Sequence, residues 1–236
     1  GRAFVAYPYR DVQPIPPGTK FYHLAAARDA IGREYPADFA LTGDVAVTLE
    51  ALAGELAPLV DKAAVAARRR AMARARSGRI KAARAAIEAE TARPLSADAA
   101  VLAVLDALPR NALISNDSAA TFGRVQDVMK TYPGLYFFAR GGVLGCSIPA
   151  SVGAALAHDG PVVCLVGDGG AMYSPQALWS AAHTCAHVIF VVLNNARYNV
   201  LMNVARDLGC ANANADRFVG MDIVAPRIDY LQLAAA

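Results

Sequence analysis

The feature that most constrains this fold is a pair of short apolar runs, each followed at once by polar residues. Val162–Val166 and Val188–Leu193 are rich in β-branched residues and have the length of buried parallel strands. The turn Gly167–Gly170 follows the first run, and Asn194-Asn195 follows the second. Glycines at such a turn permit positive φ and close approach of the backbone to a ligand. The pattern therefore predicts two strands that each end in a ligand-binding loop.

The residues between these loops have the pattern of a helix. Ser174 is the expected N-cap, Pro175 stands at the first helical position, and the helix is expected to extend to about Ala186. The order strand, loop, helix, strand predicts a right-handed crossover and two parallel strands.

Polar side chains at these two strand ends suit a metal ion. Asp168 and Asn195 lie just past the carboxyl ends of the strands, where open parallel sheets bind their ligands. Neighbouring strands lie about 5 Å apart, so both side-chain oxygens can reach one ion. Such an oxygen-only set suits Mg²⁺ bound together with phosphate oxygens. The amides of Gly169 and Gly170 can hold a further phosphate oxygen.

GDG at 167–169 followed by NN at 194–195 resembles the motif of the thiamine diphosphate (ThDP) enzymes. Within that superfamily, Tyr173-Ser174 and Ala177–Trp179 resemble the benzoylformate decarboxylase and acetolactate synthase group. The resemblance implies that Gly167–Gly170 and Asn195 hold Mg²⁺ and the cofactor diphosphate. The alternative is a plain βαβ unit with an ordinary glycine turn.

The resemblance extends to both neighbouring loops. Residues 140–149 resemble the family's glycine-rich loop, which implies that Leu144 lies beneath the thiazolium ring and that the Gly142 carbonyl accepts from the aminopyrimidine. After Asn195, it implies that the Arg197 carbonyl is a Mg²⁺ ligand and that Tyr198 lies against the diphosphate. The alternative for Leu144 is an ordinary core residue that follows a glycine turn.

Two positions depart from the family pattern. Ala119 and Ala120 stand where Ser or Thr is expected to contact the diphosphate, which leaves backbone amides or Thr121 for that role. Tyr7 stands where benzoylformate decarboxylases place an active-site histidine, which argues against benzoylformate itself as an efficient substrate.

The chain is expected to have three parts. Residues 1–55 resemble the end of a second α/β domain, with a strand at Lys20–Leu24 and a helix from Asp44 to about Glu55. Residues 56–94 form a basic helical linker. Residues 95–236, which begin with Ser96 as the N-cap of a helix, form the ThDP-binding domain, cut short at its C-terminus. The predicted fold is α/β, an open, mostly parallel sheet with helices on both faces.

Composition excludes several classes of function. Of the 236 residues, 56% are hydrophobic and 18% are charged, which favours a packed core over disorder. No apolar run approaches the length of about 18 residues that crosses a bilayer. Four unpaired cysteines, of which Cys164 and Cys185 lie in predicted buried elements, indicate a reduced, cytoplasmic protein. The linker carries a basic run without interleaved aromatics, which favours a solvated helix over a nucleic-acid partner: Arg68, Arg69, Arg70, Arg74, Arg76, Arg79, Lys81 and Arg84.

The resemblance implies part of a ThDP- and Mg²⁺-dependent decarboxylase acting on a 2-oxo acid. In that family, a glutamate from the N-terminal domain of a partner subunit activates the cofactor, so activity is expected only with that domain and in a homodimer or homotetramer. The alternatives are an acetolactate synthase-like carboligase, with or without a flavin, and a non-catalytic module that binds a Mg²⁺-diphosphate.

Overall fold

The computed structural model describes residues 14–91, 93–118, 124–129, 132–138 and 143–236. The predictions made for Tyr7, for Ala119, Ala120 and Thr121, and for Gly142 lie outside these residues. The chain divides into two compact units, Gly1–Arg74 and Ala75–Ala236. The boundary between them falls within the basic helix α2 (Lys62–Glu88).

The first unit contains a parallel pair of strands, β1 (Tyr22–Ala25) and β2 (Phe39–Thr42). A single 3-10 turn, Arg28–Ala30, lies between them, and helix α1 (Val45–Leu56) follows. The helix begins where the sequence predicts, because the Asp44 carboxylate accepts from the Val47 N–H at 2.9 Å and satisfies a donor of the first turn.

Among its described residues, the second unit contains a four-stranded, all-parallel sheet in the order β4-β3-β5-β6. Its strands are β3 (Leu113–Asp117), β4 (Leu135–Phe138), β5 (Val162–Gly167) and β6 (Val188–Leu193). The helices of this unit are α3 (Ala97–Ala107), α4 (Arg124–Met129), α5 (Ser147–Ala155), α6 (Asp168–Ala171), α7 (Ala177–His183), α8 (Asn199–Asp207), α9 (Ala211–Asn214) and α10 (Tyr230–Ala235). Ser96 caps α3 as predicted, accepting from the Ala99 N–H at 3.1 Å.

Strand β5 joins the two layers of the core. Val163 and Leu165 pack on one face, in a cluster with residues of α3 and α4. Cys164 and Val166 pack on the other face, with residues of α5, α6 and α7. Each fully buried side chain of this size contributes about 1.5–3 kcal/mol of hydrophobic stabilisation. The predicted α/β fold, a parallel sheet with helices on both faces, is confirmed.

Helix α7 ends three residues before the predicted end, because the chain leaves it in a Schellman motif. Cys185 takes the left-handed conformation (φ 52°), and the N–H groups of Cys185 and Ala186 donate to the carbonyls of Ala182 and Ala181. Cys185 is therefore exposed, and the prediction that it lies in a buried element is wrong. Across the described ranges, no helix is long and apolar enough to cross a membrane.

Candidate functional site

The two predicted loops leave the sheet side by side. Strands β5 and β6 are parallel neighbours, and Gly167 pairs with Leu193, the last residue of each strand. Asp168 and Asn194 follow these residues directly, so Asp168 and the Asn194-Asn195 pair emerge at one edge of the sheet. The hypothesis that both loops serve a single site depended on this adjacency, which the structure contains.

The Asp168 carboxylate is buried, with only 4% of the residue exposed. Its Oδ1 accepts from the Gly169 N–H at 2.9 Å. Its Oδ2 is buried without a hydrogen-bond partner among the described residues. Because an unsatisfied buried oxygen costs free energy and a buried charge costs more, this atom fits a site completed by a cation.

The Gly167–Gly170 segment differs from the predicted turn. It begins the one-turn helix α6, and none of its glycines has a positive φ. The ring of Tyr198 lies so close to the backbone that position 169 requires glycine, because a Cβ there would lie 2.4 Å from this ring. Tyr198, predicted to lie against the diphosphate, thus packs on the backbone of the loop that carries Asp168.

The Asn195 loop is held by the Asn195 side chain and by backbone hydrogen bonds to residues 221 and 223. Asn195 Oδ1 accepts from the Arg197 N–H at 3.1 Å, and Ala196 adopts a positive φ of 55°. Two backbone hydrogen bonds join this loop to a later segment. The Tyr198 N–H donates to the Met221 carbonyl, and the Ile223 N–H donates to the Ala196 carbonyl, both at 2.8 Å. Asn195 itself is exposed, and its side-chain carbonyl oxygen has two lone pairs. Oδ1 can therefore accept this hydrogen bond and also bind a metal ion.

Tyr230 is a contact of the site that the sequence analysis missed. From the start of α10, its hydroxyl donates to the Asp168 carbonyl at 2.9 Å. Burial, with smaller effects from Asp168 and Tyr198, raises the pKa of Tyr230 to about 12, so the hydroxyl keeps its proton at neutral pH. Nothing local in the sequence marks this role, because the two partners are 62 residues apart.

The loop that carries Leu144 is anchored at Gly145. Gly145 has φ +80°, and a Cβ there would lie 2.3 Å from Cβ of Tyr173. The Ser174 hydroxyl donates to the Gly145 carbonyl, so the prediction that Ser174 caps α7 is wrong. The hydroxyl thus donates to a distant carbonyl instead of accepting from a backbone N–H of the first helical turn. Leu144 is 44% exposed, which is more than an ordinary core residue shows.

Asp117 is the second contact that sequence reasoning missed. It ends β3, is 5% exposed, and its Oδ2 accepts from the Gly145 N–H at 2.6 Å. Burial raises the pKa of the Asp117 carboxyl, and hydrogen bonds from the N–H groups of Gly145, Ser147 and Cys146 oppose that rise. An acid at the end of a buried strand was the available signal, but its partner is 28 residues away.

These contacts define the kind of ligand that the site can hold. In the part of the chain that the structure describes, no three His, Cys, Asp or Glu residues form a metal cluster. The available donors are one carboxylate, one amide oxygen and backbone carbonyls, a hard set that fits Mg²⁺ rather than zinc. Of the predicted site residues, Gly142 lies outside the described part of the chain. The structure describes the others: Leu144, Gly167–Gly170, Asn195, Arg197 and Tyr198.

Residues 120–236 match the family described as thiamine pyrophosphate enzyme, C-terminal TPP binding domain. This part of the chain, with Asp168 and Asn195 in it, belongs to that family of domains. The resemblance predicted from GDG and NN is confirmed, and the match supports thiamine diphosphate as the cofactor.

Among curated proteins, the chain is similar to a benzoylformate decarboxylase of Pseudomonas aeruginosa PAO1, with 36% identity over 202 residues, which are 84% of this chain and 34% of the relative. A putative acetolactate synthase large subunit of Mycobacterium tuberculosis H37Rv is 38% identical over 96 residues, 40% of this chain and 19% of the relative. The chain therefore spans about a third or less of the curated relatives that it matches.

Solved structures give the same result. A thiamine diphosphate-dependent 4-hydroxybenzoylformate decarboxylase of Rhodococcus jostii RHA1 has a TM-score of 0.53 and 32% identity, over 62% of this chain and 27% of that one. A putative thiamin diphosphate-dependent enzyme of Mycobacterium smegmatis has a TM-score of 0.64 over 97% of this chain and 39% of that one. Its 23% identity shows the shared fold alone.

Proposed function

We propose that this chain is the cofactor-binding part of a ThDP- and Mg²⁺-dependent 2-oxo acid decarboxylase. The observation that carries the proposal is the buried, unpartnered Oδ2 of Asp168 at the end of β5, beside the Asn195 loop. In this proposal Mg²⁺ binds Asp168, Asn195 and the carbonyl of Arg197. The family match over residues 120–236 and the named decarboxylase relatives support it.

The residues divide the work between binding and orientation. When bound, ThDP supplies the electron sink that decarboxylation of a 2-oxo acid needs. Asp168 and Asn195 would hold the metal ion, and Gly167–Gly170 and Tyr198 would line the site of the diphosphate. Leu144 would support the bound cofactor, and Gly142 would offer its carbonyl to the cofactor pyrimidine. The half-exposed side chain of Leu144 suits a residue that a bound molecule covers.

The substrate and the partner are also part of the proposal. The decarboxylase relatives named above act, by their names, on benzoylformate and 4-hydroxybenzoylformate. We favour an aryl or branched 2-oxo acid, and Tyr7 argues against benzoylformate itself. A partner subunit supplies the N-terminal domain with the activating glutamate, in a cytoplasmic homodimer or homotetramer.

The test is calorimetric titration of the full-length protein with ThDP in the presence and absence of Mg²⁺. Asp168→Ala and Asn195→Ala should each abolish Mg²⁺-dependent binding, because each removes one oxygen of the metal site. Asp106→Ala and Asn203→Ala are matched controls, because these residues are exposed on α3 and α8. Both control variants should bind ThDP as the wild type does. Unchanged ThDP affinity in both site variants would exclude the proposed metal site.

A carboligase is the second candidate, because an acetolactate synthase-like protein is among the relatives. Both candidates use the same cofactor site, so only the substrates separate them. A panel of 2-oxo acids in which pyruvate gives by far the highest kcat/KM would favour the carboligase.

A further inference from the structure

We propose that Asp117 is a positioning residue. Its carboxylate fixes the Leu144–Gly145 peptide and thereby the position of the Leu144 side chain relative to the cofactor. The inference rests on the proposed function for the role of Leu144. The contacts of Asp117 themselves are independent of any ligand.

Asp117 connects two parts of the domain that are distant in sequence. It is the last residue of β3 and pairs in register with Val166 of β5, one residue before Gly167. Its carboxylate reaches sideways to the start of α5, where it accepts from the Gly145 N–H at 2.6 Å. The N–H groups of Cys146 and Ser147 also interact with this carboxylate, because they lower its pKa against the rise that burial causes. Asp117 therefore fixes the position of the Gly145 loop relative to the strands β3 and β5.

The hydrogen bond to Gly145 determines the orientation of a whole peptide group. The N–H of Gly145 and the C=O of Leu144 belong to one planar trans peptide, so they point in opposite directions. With the N–H directed at Asp117, the Leu144 carbonyl must point away from it, and rotation about this peptide is blocked. The backbone of Leu144 is thus fixed on its C-terminal side.

Two further contacts remove the remaining freedom of Gly145. The Ser174 hydroxyl donates to its carbonyl, and Tyr173 packs against its α-carbon, where a Cβ would lie 2.3 Å from Cβ of Tyr173. Of these three restraints, only the one from Asp117 acts on the peptide that includes Leu144. Loss of Asp117 should therefore misplace Leu144 while Gly145 stays near α6.

The test compares Asp117→Ala, Asp117→Asn and Asp117→Glu with the control Asp106→Ala in the full-length protein. In the cofactor-free protein, amide hydrogen exchange of residues 145–147 should accelerate in Asp117→Ala and stay unchanged in the control. With Mg²⁺ and ThDP, Asp117→Ala should lower kcat about 10- to 100-fold, the effect of misplacing a positioned group. The Kd for ThDP should change little, because Asp168 and Asn195 make the metal contacts.

The conservative variants separate positioning from folding. Asp117→Asn keeps the volume and one acceptor oxygen, and Asp117→Glu keeps the charge, so both should melt close to the wild type and recover part of the lost kcat. Unchanged amide exchange in Asp117→Ala, or full kcat per folded molecule in that variant, would overturn the inference. If instead the wild type binds no ThDP, the proposed function fails, and the exchange data alone report whether Asp117 holds the loop.

Discussion

The Leu144→Ala substitution distinguishes a residue that supports the cofactor from one that fills the core. Leu144 is 44% exposed, so only about half of the side chain is removed from water by the protein itself. Full burial of a leucine contributes about 1.5–3 kcal/mol, so its truncation here should cost about 1 kcal/mol of unfolding free energy. As a support beneath the cofactor, its loss should lower kcat about 10- to 100-fold, or about 1.4–2.7 kcal/mol of transition-state stabilisation.

The assay measures three quantities on the same preparation: the melting temperature by circular dichroism, the Kd for ThDP by calorimetry, and kcat. Two leucines serve as matched controls. Leu156→Ala removes a 61% exposed side chain at the other end of α5 and should change none of the three. Leu165→Ala removes a fully buried side chain of β5 and should cost about 2–5 kcal/mol of stability.

The expected result for Leu144→Ala is a melting temperature near that of Leu156→Ala, an almost unchanged Kd, and a much lower kcat. Two outcomes would refute the reasoning. A melting temperature as low as that of Leu165→Ala, with full kcat per folded molecule, would make Leu144 an ordinary core residue. A loss of ThDP affinity equal to the loss of kcat would make it a general binding contact.

Two further predictions concern single contacts. Gly145→Ala should destabilise the fold by at least about 1 kcal/mol, because φ is +80° and the new Cβ meets Tyr173. Gly153→Ala, in open space on α5, should stabilise the fold by about 0.5–1 kcal/mol; chemical denaturation compares the two variants, and equal effects would contradict the contact of Gly145 with Tyr173. Burial raises the pKa of Tyr230 from 10.0 to about 12, so the unfolded chain loses this proton first and the free energy of unfolding should fall as the pH rises between these values. Tyr230→Phe should show a smaller fall in denaturation curves measured across that range; an identical fall would mean that Tyr230 is not the titrating group.

Sequence reasoning succeeded where the information is local. The apolar runs Val162–Val166 and Val188–Leu193 became β5 and β6 because β-branched residues of that length form buried parallel strands. Asp44 and Ser96 act as N-caps because a capping side chain bonds an N–H three residues away. The placement of Asp168 at a strand end followed from the same local rules.

The sequence was least informative where a polar group has a distant partner. Ser174 has the local features of an N-cap, but its hydroxyl donates to Gly145, 29 residues away. Asp117 and Tyr230 were missed for the same reason, since hydrogen bonds across the sheet have no fixed spacing in sequence. Cys185 ended α7 early because a non-glycine residue took the left-handed position, which sequence preference assigns to glycine or asparagine.

The alternation of β5 between two clusters has a consequence for how this site can be altered over evolution. Val163 and Leu165 belong to the cluster on one face, Cys164 and Val166 to the cluster on the other, and Asp168 follows at the end of the same strand. Packed interiors transmit small displacements, so a change of volume in either cluster shifts this strand. Substitutions around α3 and α4 therefore give selection a way to adjust the geometry of the metal site while every residue that touches the ligand is retained.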